Sequence, residues 1–133
     1  MRNGPIVIVR AVLEDLDRRI LLLEKSPGRF ELPGGKVKYR ETLDEACFRE
    51  IRKETGFILE AFECFLFNEH IPKNGGNNHH ITFYYAALVY GKARISNESI
   101  GFRWLDFPYN FEGINLAFDE QKAVIEYMSR FKI

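Results

Sequence analysis

The chain has 133 residues, and its 19 lysines and arginines are balanced by 19 aspartates and glutamates. That length suits one domain spanning residues 1–133, and the 46% apolar content supplies a core and excludes a disordered chain. Zero net charge removes the electrostatic drive toward polymeric nucleic acid or a membrane surface.

The N-terminal stretch MRNGPIVIVRAVLEDL does not read as a signal peptide, because Arg10 interrupts its apolar run and acidic residues follow. No stretch approaches the roughly 20 apolar residues of a membrane span. Residues 5–14, rich in Ile and Val, predict a strand. A polar turn from Asp15 to Arg18 separates it from a second strand over 19–25, and the two predict a hairpin. Ser26-Pro27-Gly28 marks a turn, and the Pro33-Gly34-Gly35 run is expected to end regular structure.

Residues 43–55 predict the clearest helix. Thr42 and Glu45 have capping-box spacing at its start, and Gly56 is placed to end it. Residues 57–69 predict one strand or two, 71–79 a Gly/Asn-rich loop, 80–90 a strand, and 101–105 a short strand after a polar loop. Val124, Ile125, Met128 and Phe131 recur at helical spacing near the end, with Asp119 as a plausible cap. Strands, helix, strands, helix in that order suggest a mixed sheet with helices on its faces. Cys47 and Cys64 lie in no metal-ligand spacing and are expected to be core thiols, consistent with a reducing cytoplasm.

The helix over 43–55 is unusual. On a helical wheel Leu43, Ala46 and Cys47 share a face, and the stripe continues with Glu50 and Glu54. An ordinary amphipathic helix would continue it with leucine or isoleucine. Carboxylates at the edge of a core need a partner, and two glutamates at i, i+4 can reach one hard cation such as Mg2+. Spacing alone leaves open that they lie on a solvated face and pair with Lys53 or Arg49.

From Gly35 the sequence reads GKVKYRETLDEACFREIRKETGF. Gly35 is followed at the expected intervals by Glu41, Arg49-Glu50-Ile51, Glu54 and Gly56. This run resembles the box of the Nudix (MutT-like) hydrolases, G-x5-E-x7-R-E-U-x-E-E-x-G-U with U a bulky aliphatic residue. Phe57 departs mildly from the pattern. Lys53 departs outright, since the family has glutamate there. FELPGG before the box and GFRWLD near the end are also similar to family strands.

The resemblance implies a Nudix fold of the α/β (α+β) type, a mixed β-sheet sandwiched between helices. It implies hydrolysis of the P–O–P bond of a nucleoside diphosphate linked to another moiety, assisted by Mg2+ or Mn2+. Such cations neutralise the diphosphate, position water and stabilise the leaving phosphate. By position, Glu50, Glu54 and the Gly34 carbonyl are the implied metal ligands. Arg49 and Glu41 are implied to brace the loop against the helix, with Gly35 and Gly56 supporting the box. Glu98, in a later loop, is a candidate general base or additional ligand. Lys53 cannot ligate Mg2+ while protonated. It implies fewer bound metals, or a nucleotide-binding module with impaired catalysis.

For the substrate, a small-molecule nucleotide of the (d)NTP or ADP-ribose type, the candidates are Phe83, Tyr84 and Arg10. Tyr84 and its neighbours Phe83 and Tyr85 alternate across a strand, where one aromatic is able to stack a base and the others pack the core. His79 and His80, at the junction of the Gly/Asn-rich loop and the strand after it, read as part of a surface loop. Pro72, fifteen residues beyond Phe57, has a spacing found in some ADP-ribose-cleaving members. A monomer or a homodimer fits the resemblance.

Overall fold

The computed structural model of the chain describes residues 4–73 and 79–131. Eight strands and two helices lie within them: β1 Ile6–Glu14, β2 Ile20–Ser26, β3 Arg29–Glu31, β4 Gly34–Lys36, α1 Leu43–Thr55, β5 Phe62–His70, β6 His80–Leu88, β7 Gly101–Leu105, β8 Asn115–Leu116 and α2 Phe118–Arg130.

The strands form one mixed sheet in the order β5-β6-β1-β2-β3-β8, with β4 also paired to β1 and β7 to β2. β1 is its axis. It runs parallel to β6 from Ile6 opposite His80 to Glu14 opposite Leu88, and antiparallel to β4 through Ile8–Lys36, Val9–Gly35 and Arg10–Gly34. The expected hairpin is present, and its turn is held by Asp15, whose Oδ1 accepts the Asp17 and Arg19 N–H groups at 3.0 and 2.8 Å.

The apolar runs of β1, β2 and β6 are nearly continuous because both faces of the sheet are covered. Val9, Ala11, Leu13, Leu21, Leu23, Tyr85 and Ala87 point to one side and pack on Ala46, Cys47 and Ile51 of α1. Val12, Ile20, Leu22, Tyr84 and Ala86 point to the other and pack on Ala123, Val124 and Tyr127 of α2. Each fully buried Val, Leu or Ile among them contributes about 1.5–3 kcal/mol. This is the helix-covered mixed sheet that the element order suggested.

Several expectations need correction. The Pro-Gly-Gly run does not end regular structure, since Gly34–Lys36 is a short strand on β1. A Cβ on Gly34 would collide with the Val9 carbonyl, so glycine is what lets the segment lie this close. Residues 57–61 precede the single strand β5, and β8 was not anticipated. The N-cap of α2 is Ala117, with no side-chain cap, and Asp119 sits in the first turn. Its buried stripe is Glu120, Ala123, Val124 and Tyr127, while Ile125 is exposed. Cys47 is buried, but Cys64 is exposed on β5, beside the register shift between Cys64 and Leu66. No helix among the described residues is long and apolar enough to cross a membrane.

Candidate active site on the last turns of α1

The capping box forms as predicted. Thr42 Oγ1 accepts the Glu45 N–H at 3.0 Å, and the Glu45 carboxylate accepts the Thr42 N–H at 2.8 Å. Gly56 closes the helix in a left-handed conformation with φ 78°. These two ends fix the register in which Ala46, Cys47 and Ile51 reach the core, and so place Glu50 and Glu54 on the same stripe.

Both carboxylates are buried, Glu50 at 6% and Glu54 at 4% relative exposure, which rules out a solvated helix face. They meet the Gly34–Gly35 backbone of β4. Glu54 Oε1 accepts the Gly34 N–H at 2.8 Å, and Glu54 Oε2 pairs with Lys25 Nζ at 3.1 Å. Burial pushes the Glu54 carboxyl above its ordinary range, with the Gly34 N–H and Lys25 opposing the shift. The Glu50 carboxylate lies directly over Gly35, where any Cβ would collide with it. Its other contacts are Arg49, which donates a short hydrogen bond to Oε1, and Lys53, whose Nζ is 3.6 Å from the same oxygen.

Arg49 and Glu41 make the brace expected of them. Arg49 Nε and one of its terminal nitrogens donate to the two Glu41 oxygens at 2.6 and 2.9 Å, and the guanidinium also reaches the Lys36 carbonyl at 3.1 Å. The paired fork holds the Glu41 carboxyl down at about 2. Glu41 in turn accepts the Lys38 N–H at 2.9 Å, tying the 36–41 loop to the helix.

Glu98 comes to the rim of this cluster, with Oε2 at 3.5 Å from Lys53 Nζ. Its loop is anchored to the end of α1 by Arg94 N–H on the Thr55 carbonyl at 2.7 Å and Ser96 N–H on the Glu54 carbonyl at 3.0 Å.

The other nominated residues lie elsewhere. Tyr84 is 2% exposed in the α2-side core, so it is closed to base stacking. Arg10 also points to the α2 side, where it donates to the Leu32 carbonyl at 2.8 Å and pairs with Glu31 at 3.1 Å and Glu120 at 3.9 Å. Phe83 is on the α1 side, half-buried against exposed Phe67 with ring centroids 5.8 Å apart. His80 opens β6 rather than lying in a loop, and His79 pairs with Glu69 at 2.9 Å. The Gly/Asn-rich loop expected over 71–79 is described only through Lys73 and at His79, so residues 74–78 lie outside the described residues.

Two residues that complete the picture were missed from sequence. Lys25 lies in the polar end of β2, Glu24-Lys25-Ser26, where nothing local marks it out from Glu24. Glu120 sits on the buried stripe of α2 and accepts the Leu32 N–H at 2.6 Å.

Oxygen donors of this kind suit a hard divalent cation, and Mg2+ commonly takes one or two carboxylates and leaves further positions for water and phosphate. Glu50 and Glu54 fit that demand. Among the described residues no three Asp, Glu, His or Cys side chains gather as a ready cation cage, and Lys53 stands beside the two carboxylates.

Comparison with known proteins agrees with this geometry. The profile of the family described as NUDIX domain matches residues 4–121. An ADP-ribose pyrophosphatase from Methanocaldococcus jannaschii is 31% identical over 129 residues, covering 93% of this chain and 73% of that protein. The crystal structure of a MutT NUDIX hydrolase from Burkholderia pseudomallei is 28% identical, with a TM-score of 0.73 over 92% of this chain and 97% of the other. The NUDIX domain of Shewanella oneidensis NrtR, solved in complex with ADP ribose, shares the fold with a TM-score of 0.81 at 21% identity, over 97% and 90% of the two chains.

Proposed function

The chain belongs to the NUDIX family of hydrolases, which cleave pyrophosphate bonds, and from that premise we propose that it is a divalent-cation-dependent pyrophosphohydrolase acting on an ADP-ribose-type nucleoside diphosphate. The observation that carries this reading is the pair of buried carboxylates, Glu50 and Glu54, set against the glycine backbone of β4. The substrate class rests on the similarity to the M. jannaschii ADP-ribose pyrophosphatase. Nucleoside triphosphates are the second class to test.

In this reading Glu50 and Glu54 hold Mg2+ or Mn2+, with the Gly34 carbonyl as a further donor. When bound, the cation neutralises the diphosphate and makes water a stronger nucleophile. Water attacks one phosphorus, the bridging P–O bond breaks, and the departing phosphate leaves with the bridging oxygen. Arg49 positions Glu50 and, through Glu41, the loop that carries Gly35. Lys25 holds positive charge at the inner edge of the site and orients Glu54. Glu98, half exposed at the rim, is the candidate to take a proton from water. Phe83 with Phe67 forms the aromatic surface on the α1 side of the sheet and is the remaining candidate for a base platform.

The test is a hydrolysis screen of ADP-ribose, sugar nucleotides, dinucleoside polyphosphates and (d)NTPs with Mg2+ and with Mn2+, its products resolved by chromatography. ADP-ribose is expected to be cleaved to AMP and ribose 5-phosphate, and Glu54→Gln to remove that activity. Nucleotide binding without turnover across the whole panel would sink the proposal.

A further inference from the structure

Lys53 is the one box position at which this chain reverses the sign of the charge. Its ammonium lies 3.6 Å from Glu50 Oε1 and 3.5 Å from Glu98 Oε2, between the helix carboxylates and the 94–100 loop. An isolated pair with partners half exposed, as Lys53 and Glu98 are at 48% and 50%, would hold little. Here, however, the same ammonium also faces the buried carboxylate of Glu50. The backbone already delivers Glu98 to it through the Arg94 and Ser96 hydrogen bonds to the end of α1.

The charge balance gives this arrangement a consequence. Four carboxylates, Glu41, Glu50, Glu54 and Glu98, face three cations, Lys25, Arg49 and Lys53, leaving one net negative charge. With glutamate at position 53 the same cluster would carry three. One divalent cation already outweighs a net charge of −1, while a cluster of −3 stays negative until a second is bound.

We propose that Lys53 is a built-in cation that bridges Glu50 to Glu98, takes the place of one divalent metal ion, and anchors Glu98 at the rim of the site. Lys53 is a positioning residue in this scheme, acting through the two carboxylates it joins. The inference rests on the reading of Glu50 and Glu54 as cation ligands. It goes further in fixing how many ions the substrate-free protein takes and what holds Glu98.

Mn2+ titration of the metal-stripped full chain, followed by the EPR signal of free Mn2+, counts the ions directly without reference to turnover. One tightly bound Mn2+ is expected in the unmodified protein and at least one more in Lys53→Glu. Lys53→Gln, which adds no ligand and is the milder change if Lys53→Glu folds poorly, is expected to bind its first Mn2+ at least about tenfold more tightly. In the metal-free protein, amide hydrogen exchange at 97–100 is expected to quicken in Lys53→Gln and in Glu98→Gln, and no further in the double variant. Two or more ions in the unmodified protein, an unchanged count in Lys53→Glu with unchanged affinity in Lys53→Gln, or unaltered exchange in the single variants would each overturn the inference. Absence of Mn2+ binding in the unmodified protein and every variant would instead remove the proposed function beneath it.

Discussion

The two faces of the sheet grip the same short segment in the same way, and they differ in what is left over. From the α1 side Glu54 accepts the Gly34 N–H at 2.8 Å, and from the α2 side Glu120 accepts the Leu32 N–H at 2.6 Å. Each glutamate is almost fully buried, each carboxyl is raised by that burial, and each has a basic side chain close by, Lys25 for Glu54 and Arg10 for Glu120. Burial and a raised carboxyl therefore do not distinguish a reactive glutamate from a structural one. The distinction comes from the surroundings. Glu54 has a second carboxylate one turn away, a glycine backbone that leaves room, and polar groups at an exposed rim. Glu120 is buried with the Leu32 N–H and Arg10 as its partners, and Arg10 spends its donors on the Leu32 carbonyl, Glu31 and Glu120 itself.

The largest effect that sharpens this contrast belongs to Glu54→Gln. The amide still accepts from Gly34 but no longer pairs with Lys25, so the thermal midpoint should fall while the protein still folds. Hydrolysis should fall by about 10²-fold or more, as measured by initial rates on ADP-ribose. An unaffected rate would place the chemistry elsewhere.

Glu120→Ala should cost stability alone. It strips the Leu32 N–H of its acceptor inside the core, which costs about 1–3 kcal/mol. Urea unfolding should report that loss, while the rate per folded molecule stays within a few-fold. Should the folded variant lose activity as Glu54→Gln does, the two grips are not functionally distinct.

Gly35→Ala tests the room left on the α1 side, because the added methyl meets the Glu50 carboxylate. Crowding of this kind costs about 1–3 kcal/mol. It is expected to weaken Mn2+ binding more than folding, which parallel EPR and calorimetric titrations would separate. Equal loss in both would make Gly35 a purely structural requirement.

The smallest effect is a pH dependence. Arg49 holds the Glu41 carboxyl down at about 2, against an ordinary value near 4.5. The pair's contribution is thus complete above about pH 4.5 and is lost as pH falls through the folded value. Because the pair sits near the surface, the change in midpoint should be modest. Arg49→Gln should flatten the decline between pH 4.5 and 2, and an unchanged slope would mean that Glu41 is not held by Arg49.

Much of this was legible before any coordinates. Thr42, Glu45 and Gly56 carried the helix bounds, because caps are local interactions between near neighbours in sequence. The interruption of an apolar stripe by Glu50 and Glu54 carried the site. Glu120 breaks the α2 stripe in the same manner, but the apolar spacing of Val124, Ile125, Met128 and Phe131 points away from it, because Ile125 and Met128 lie off the centre of the buried face. Strand Gly34–Lys36 was hidden because Pro-Gly-Gly has turn chemistry. Its pairing with Val9 and Arg10 is long-range, and no local signal reports it. Tyr84 is a substrate candidate in sequence and a core residue in the fold because alternation says only that successive residues face opposite sides. It does not say which side carries α1.

The left-handed close of α1 at Gly56 has one more consequence. It places Glu50 and Glu54 within the last two turns, at the end where aligned peptide dipoles add about half a negative charge. The helix itself therefore repels a diphosphate and attracts Lys53, Lys25 or a metal ion. A helix presenting its opposite end would cradle phosphate unaided. This one is polarised so that an anionic substrate would approach only across an intervening positive charge.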